Sequence, residues 1–162
     1  MKKAITILMF VLLTTVSCKK TDEIPTPAEQ MEIDIAMIQE FLALNNLTAQ
    51  STLSGLHYII SEAGHADDYP DLDDEVQVHY KGFYIDSGGI FDQNLDDEDP
   101  SPFLLSNTIA GWREGMQLFN IGAKGMLLIP SGLAYGPYPP SGVKPNAVMV
   151  FEIELLDIIH HN

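Results

Sequence analysis

This sequence has a single cysteine and few basic residues beside its acidic ones. Cys18 is the single cysteine, so the chain can form neither an internal disulfide nor a thiolate metal site, and a cysteine nucleophile would have to be this residue. Eight lysines and arginines stand against 23 aspartates and glutamates, which gives a formal net charge of −15 at pH 7. Because such a surface repels phosphate backbones, we predict no nucleic-acid partner.

The motifs of hydrolases and metalloenzymes are missing as well. No G-x-S-x-G motif occurs, and Ser131 lies in a Pro-Ser-Gly turn with no histidine nearby in sequence. The histidines lack the i, i+4 spacing of a helical metal site. The acidic runs at 67–75 and 96–99 lack the ligand spacing of a calcium loop. We therefore predict no metal and no cofactor.

Residues 1–17 are predicted to be a signal peptide. Two lysines precede an apolar run over 4–13, which is too short for a membrane-spanning helix. The segment 16–18, Val-Ser-Cys, resembles a bacterial lipobox, in which Cys18 becomes the lipid-bearing first residue of the mature protein. Residues 18–27 are polar, contain proline and are predicted to be a tether. We expect a protein of the bacterial cell envelope that acyl chains hold on the outer membrane, on its periplasmic or its surface side.

Residues 28–55 are predicted to form an N-terminal helix followed by a loop. Thr26 suits the N-cap, with Pro27 at the first helical position and Glu29 closing a capping box. Two apolar stripes follow, one of Met31, Ile35, Ile38 and Leu42 and the other of Ile33, Met37, Phe41 and Leu44. Either both stripes pack on the same domain or one of them is a homodimer contact, and the sequence leaves both readings open.

Residues 56–162 are predicted to be one domain of strands with a single short helix. Strict alternation over 76–82 places Val76, Val78 and Tyr80 on one face of a strand. Further strands are predicted at 56–61, 90–92, 124–129 and 147–158. The fold class is therefore α+β, with the short helix on the concave face of a twisted antiparallel sheet.

The short helix carries Trp112, the only tryptophan. Trp112, Met116 and Phe119 fall at i, i+4 and i+7 and so share one apolar face. A single tryptophan on such a face is typical of core packing. Together with inward rings from several strands, however, it indicates an apolar cavity with few polar groups.

Five segments in order resemble the successive signatures of the FKBP-type peptidyl-prolyl cis-trans isomerases, namely residues 78–82, 91–92, 109–115, 129–136 and 145–156. The resemblance covers about residues 73–158, and the lipobox and leading helix are similar to secreted bacterial forms of the macrophage infectivity potentiator branch. It implies a half-barrel sheet wrapped round the short helix and catalysis of rotation about Xaa-Pro bonds in exported proteins. The alternative is a non-catalytic protein-binding or chaperone module on the same scaffold.

The resemblance also implies a set of site residues. Its catalytic positions match Tyr80, Asp92, Trp112 and Tyr135, and its substrate-binding positions match Phe91, Phe103, Ile109, Val143 and Phe151. In the family the matched tyrosine at 135 and the backbone amide at 109 donate hydrogen bonds to the ligand, and Asp92 would bond near Tyr80. The implied partners are proline-containing polypeptides and a macrolide inhibitor. Residues 136–144 depart from the family pattern, since Lys144 replaces a proline, and Phe103 matches either of two neighbouring family positions.

Overall fold

The computed structural model describes residues 24–65 and 67–161. The predicted signal peptide, Cys18 and the first part of the tether lie outside these residues. Within them, no helix combines the length and the apolar character needed to cross a membrane.

Helix α1, Pro27–Leu44, begins where the capping signals predict. The Thr26 side chain accepts a hydrogen bond from the N–H of Glu29, and the Glu29 carboxylate accepts one from the N–H of Thr26. This reciprocal pair satisfies two backbone N–H groups that a helix start leaves free. Local sequence thus fixes the first turn of the helix.

Seven strands form one antiparallel sheet in the described part of the chain. The strands are β1 Gln50–Ser51, β2 His57–Glu62, β3 Glu75–Tyr84, β4 Ile90–Gln93, β5 Phe103–Leu104, β6 Lys124–Ile129 and β7 Met149–Ile159. Their order is β1-β2-β6-β7-β3-β4, and β5 pairs with one end of β3. Strand β1 falls in the segment that the sequence predicted to be a loop, because two residues are too few to produce an alternation.

The two faces of the sheet bury different clusters of side chains. Helix α2, Ala110–Gly115, lies against the concave face, where Trp112, Met116 and Phe151 share one core. Helix α1 covers part of the other face, where Ile38 and Leu42 pack with Phe83 and Val150 in a second cluster. The predicted α+β fold, with a curved antiparallel sheet round one short helix and a helix before it, is confirmed.

The second apolar stripe of α1 divides between its two readings. Met37 and Phe41 are half-buried against the sheet, as the single-domain reading expects. Ile33 is 46% exposed and Leu44 is 75% exposed. The structure thus covers half of this stripe and leaves the other half on the surface.

The end of the chain is held by a pair of carboxylates. The His160 Nδ1 lies 2.9 Å from the Asp74 carboxylate, and its Nε2 lies 3.2 Å from the Asp68 carboxylate. Hydrogen bonds to Asp68 and Asp74 raise the pKa of His160 above its ordinary value. Asp74 itself is buried and accepts from the backbone N–H groups of Asp71 and His161.

Candidate functional site

A cavity of about 720 Å³ opens between the concave face of the sheet, α2 and the loop that follows β6. All nine side chains predicted for catalysis or substrate binding line it: Tyr80, Phe91, Asp92, Phe103, Ile109, Trp112, Tyr135, Val143 and Phe151. Five further residues that sequence reasoning missed complete the lining: Tyr84, Asn107, Thr108, Ser141 and Gly142. The signal for Tyr84 was present, because it continues the every-second-residue pattern of β3 beyond Tyr80.

Trp112 forms the floor of this cavity and is 5% exposed. The centroids of the Tyr80 and Phe151 rings lie 5.5 and 5.2 Å from that of its indole, and both rings stand nearly perpendicular to it. Phe103 closes a third side, with its centroid 6.0 Å away. Such edge-to-face contacts hold the rings in fixed orientations, so the floor and walls are preformed.

The indole Nε1 of Trp112 is buried, and among the described residues no hydrogen-bond partner meets it. An unpaired buried donor costs about 1–3 kcal/mol. Part of what the large ring contributes to stability by burial is therefore offset at this position. A phenylalanine in its place would lose ring area but would also remove the unpaired N–H.

Phe91 and Asp92 are neighbours in β4, yet both line the cavity. Successive side chains of a regular strand point to opposite faces. The register of β4 against β3 pairs Asp92 with Gly82 and then Ile90 with Phe83, so Phe91 is the extra residue of a bulge. A bulge re-aims a side chain and adds local twist, which explains how both consecutive residues reach the site.

The absence of a side chain at Gly82 leaves room for the Phe91 ring. A Cβ at this position would lie 2.7 Å from the Phe91 ring and 2.9 Å from the Phe151 ring, both well inside van der Waals contact. The two rings therefore occupy the volume that a side chain on β3 would fill. Their centroids are 5.5 Å apart and their planes are nearly perpendicular.

Tyr80 is anchored by Asp92. Its phenolic oxygen donates a hydrogen bond of 2.6 Å to the Asp92 carboxylate. Burial raises the pKa of Tyr80 well above its ordinary value, and the bond to Asp92, the charge of that carboxylate and the nearby Tyr135 add to the rise. The phenol therefore stays protonated at every pH near neutrality and keeps donating to Asp92.

The two donors that the family resemblance singles out, at Ile109 and Tyr135, have no partner within the described residues. The N–H of Ile109, the N-cap residue of α2, makes no hydrogen bond there, although its carbonyl accepts from the N–H groups of Trp112 and Arg113. The hydroxyl of Tyr135 likewise has none, and this side chain is 43% exposed. A ligand carbonyl in the cavity could accept from either group.

Lys144 links the two loops at one side of the cavity. Its Nζ lies 3.1 Å from both carboxylate oxygens of Asp86 in the turn after β3, and 4.6 Å from the centroid of the Tyr84 ring. The hydrogen bond from Lys144 lowers the pKa of Asp86 although burial opposes this. Lys144 thus ties the loop that contributes residues 141–143 of the lining to the β3–β4 turn.

The fold and the cavity together define an α+β protein with a preformed, ring-lined site for a small apolar group. The model of the family described as FKBP-type peptidyl-prolyl cis-trans isomerase matches residues 67–156. This chain belongs to that family, which confirms the resemblance drawn from its sequence.

Several relatives carry the same description. The isomerase FkpA of Aeromonas hydrophila is 41% identical over 122 residues, which make up 74% of this chain and 45% of that protein. FkpA of Escherichia coli strain K12 is 40% identical over 109 residues, or 67% of this chain and 40% of that protein. This chain thus spans less than half the length of these two relatives.

Solved structures show the same fold. The crystal structure of FkpA from Escherichia coli matches with a TM-score of 0.68 and 35% identity, over 80% of this chain and 63% of that one. That of a peptidyl-prolyl cis-trans isomerase from Pseudomonas syringae pv. tomato matches with a TM-score of 0.66 and 30% identity. The latter match covers 85% of this chain and all of the other.

Proposed function

We propose that this protein is a peptidyl-prolyl cis-trans isomerase that acts on Xaa-Pro bonds of exported proteins. The observation that carries the proposal is the cavity over Trp112, in which nine residues predicted from a family resemblance lie together. Membership of the FKBP-type family supports it. The cavity is suited to a prolyl ring, which is small, apolar and rigid.

The chemistry required is rotation about a bond with partial double-bond character. A planar peptide bond resists rotation with a barrier of about 18–20 kcal/mol. In the twisted state amide resonance is lost, so the carbonyl oxygen carries less charge and needs less hydration. A site lined by the rings of Trp112, Phe91 and Phe151 removes water from the amide and so disfavours the planar state more than the twisted one.

The polar groups of the site would orient the substrate. The free N–H of Ile109 and the hydroxyl of Tyr135 would donate to carbonyl groups beside the proline. Asp92 would act through Tyr80 by fixing the orientation of that ring. No residue in this set has to gain or lose a proton.

Turnover measured by NMR exchange on Xaa-Pro peptides tests the proposal. We expect the wild-type protein to accelerate cis-trans exchange, Tyr135→Phe and Asp92→Ala to lose part of that rate, and Trp112→Ala to lose more. Tyr138→Phe is the matched control for Tyr135→Phe, because Tyr138 is 91% exposed and does not line the cavity.

The non-catalytic alternative predicts a different pattern in the same experiment. A binding module would shift the resonances of prolyl peptides without accelerating their cis-trans exchange at any protein concentration. Trp112→Phe keeps a smaller ring on the floor and removes the unpaired N–H. The rate that it retains shows how far the site needs the full size of the indole. Wild-type rates in Tyr135→Phe, Asp92→Ala and Trp112→Ala together would remove the cavity assignment.

A lipid on Cys18 is the second part of the proposal. It rests on the sequence alone, through the basic start, the short apolar run and Val-Ser-Cys at 16–18. We propose that the protein is held in this way at the bacterial outer membrane. Metabolic labelling with a fatty-acid analogue should label the wild type and not Cys18→Ser, and equal labelling of both would exclude the site.

The family resemblance and the exposed part of α1 suggest two further partners. A macrolide inhibitor would occupy the cavity and compete with prolyl peptides, and failure to compete would exclude it as a ligand of this site. A homodimer would use the part of α1 left exposed, at Ile33 and Leu44. Light scattering tests the dimer, since it predicts a dimeric mass that Ile33→Glu converts to a monomeric one.

A further inference from the structure

A carboxylate is buried where α1 meets the sheet. Asp34 is 0% exposed, and in the described part of the chain it takes part in no ion pair. It accepts three hydrogen bonds instead: one of 2.7 Å from Gln30 Nε2 to Oδ1, and two on Oδ2 from Ser131. Since an apolar residue of similar size would dock the helix without desolvating a charge, the carboxylate calls for a specific reason.

The partner of Asp34 lies at the base of the loop that carries Tyr135. The N–H and the hydroxyl of Ser131 donate to Asp34 Oδ2 at 2.8 and 2.6 Å, and Ser131 is 1% exposed. The Ser131 carbonyl in turn accepts from the N–H groups of Ala134, at 3.0 Å, and Gly136, at 2.9 Å. These two amides flank Tyr135 in sequence.

A continuous set of hydrogen bonds therefore runs from α1 to the turn around Tyr135. Asp34 fixes the peptide of Ser131, and Ser131 fixes the amides on either side of Tyr135. The Tyr135 side chain is 43% exposed and has no hydrogen bond of its own in the described residues. Its orientation depends on the backbone that carries it.

We propose that Asp34 is a positioning residue for Tyr135, so that α1 is a working part of the catalytic site as well as a cover for the sheet. The proposal rests on the isomerase function and on the role of Tyr135 in it. Asp34 touches no substrate. It acts by holding the turn in the one arrangement that points the Tyr135 hydroxyl into the cavity.

The size of the effect has a ceiling. If Asp34 acts only through Tyr135, its removal cannot cost more activity than removal of the Tyr135 hydroxyl. We expect Asp34→Ala to lower kcat/KM by a factor no larger than Tyr135→Phe does. Asp34→Asn keeps an oxygen that can accept from Ser131, and its NH2 group can donate to Gln30 once the half-buried Gln30 amide turns to present Oε1 in place of Nε2. This variant should restore most of the rate.

A double-mutant cycle separates positioning from general loosening of the fold. Asp34→Ala should lower kcat/KM in the wild-type background and by less than twofold in the Tyr135→Phe background. Ile38→Val is the matched control, since Ile38 is also 0% exposed and lies one turn further along the same face of α1. It should lower the melting temperature and leave kcat/KM unchanged well below melting.

Ser131→Ala is a second variant for the case that Asp34→Ala does not fold. It removes the hydroxyl bond and leaves the N–H bond, so it should give a smaller loss that likewise disappears in the Tyr135→Phe background. An equal loss in both backgrounds, or full activity of Asp34→Ala, would overturn the proposal. A loss of rate in Ile38→Val as large as in Asp34→Ala would overturn it as well.

Amide hydrogen exchange tests the same idea without an activity assay. The N–H groups of Ala134 and Gly136 should exchange faster in Asp34→Ala or Ser131→Ala and at the wild-type rate in Ile38→Val. Unchanged amide exchange in the first two variants would refute the claim that Asp34 and Ser131 order the turn around Tyr135, whatever activity is measured. If the wild type proves inactive, the function proposal falls, and this exchange measurement alone decides whether Asp34 orders the turn.

Discussion

Replacing Gly111 with alanine tests how closely α2 must lie against the sheet. A Cβ at this position would overlap the Cγ2 atom of Ile129 and would lie 2.8 and 3.0 Å from its Cδ1 and Cγ1 atoms. Ordinary contact needs about 1 Å more than the shortest of these, so α2 would have to move away from β6. Ile129 is 0% exposed and branched at Cβ, so it cannot turn aside.

The expected cost follows from two opposing effects. Overpacking of this kind costs about 1–3 kcal/mol, and the better helix propensity of alanine returns at most about 1 kcal/mol. We expect a net loss of about 1–2 kcal/mol, and for a chain of this size that lowers Tm by about 2–8 °C. Because Trp112 follows directly on Gly111, kcat/KM should fall by about 10- to 100-fold.

Gly132→Ala is the matched control, since nothing lies within 4 Å of the point that its Cβ would occupy and its φ is not in the left-handed region. It should raise stability by about 0.4–1 kcal/mol by restricting the unfolded chain. Calorimetry on the two variants should therefore give Tm shifts of opposite sign. Ile129→Ala costs about 2–5 kcal/mol alone, but combined with Gly111→Ala it should cost less than the sum. Additive losses, or a Gly111→Ala variant as stable as the control, would refute the reasoning.

Three further results are expected. His160 has a raised pKa in the folded protein, so its stabilising contribution is complete below about pH 6.5 and is lost as pH rises through the folded pKa. The difference in free energy of unfolding between wild type and His160→Gln should therefore be larger at pH 6 than at pH 9, and the reverse order would exclude a stabilising role for the contacts of His160 with Asp68 and Asp74. Lys144→Met should lower the free energy of unfolding by at most about 1 kcal/mol, since the ion pair of Lys144 with Asp86 is half-exposed. It should also raise KM for prolyl peptides, because the loop at 141–143 would be held less firmly; an unchanged KM would exclude this role of Lys144. Isomerase activity should be nearly flat from pH 6 to pH 8, because Tyr80 keeps its proton throughout, and a steep inflection in NMR exchange rates would contradict this.

Local signals predicted the elements of this fold that depend on local interactions. The capping box of Thr26 and Glu29 fixes the start of α1 by hydrogen bonds three residues apart. Alternation identified β3 and most of β7 because one face of each strand is buried. The short strand β1 was missed, since two residues carry no period.

The site depended on information that periodicity does not contain. A regular strand would send Phe91 and Asp92 to opposite faces, and only the bulge opposite Gly82 brings both to the cavity. Family resemblance predicted both residues where alternation could not. The bond between Asp34 and Ser131 joins positions 97 apart, so its only sequence signal was an aspartate within the apolar face of a helix.

Strand β7, the last one in the described part of the chain, lies near the middle of the sheet. Strand β7 pairs along its length with β3 and also with β6, and its Phe151 forms a wall of the cavity. Until residues 149–159 are available, β3 and β6 lack a common neighbour, and the backbone groups that face β7 stay unpaired. The sheet therefore cannot be completed before this strand has been made. A chain cut before residue 149 would lack the Phe151 wall of the cavity and would leave β3 and β6 without the strand that joins them.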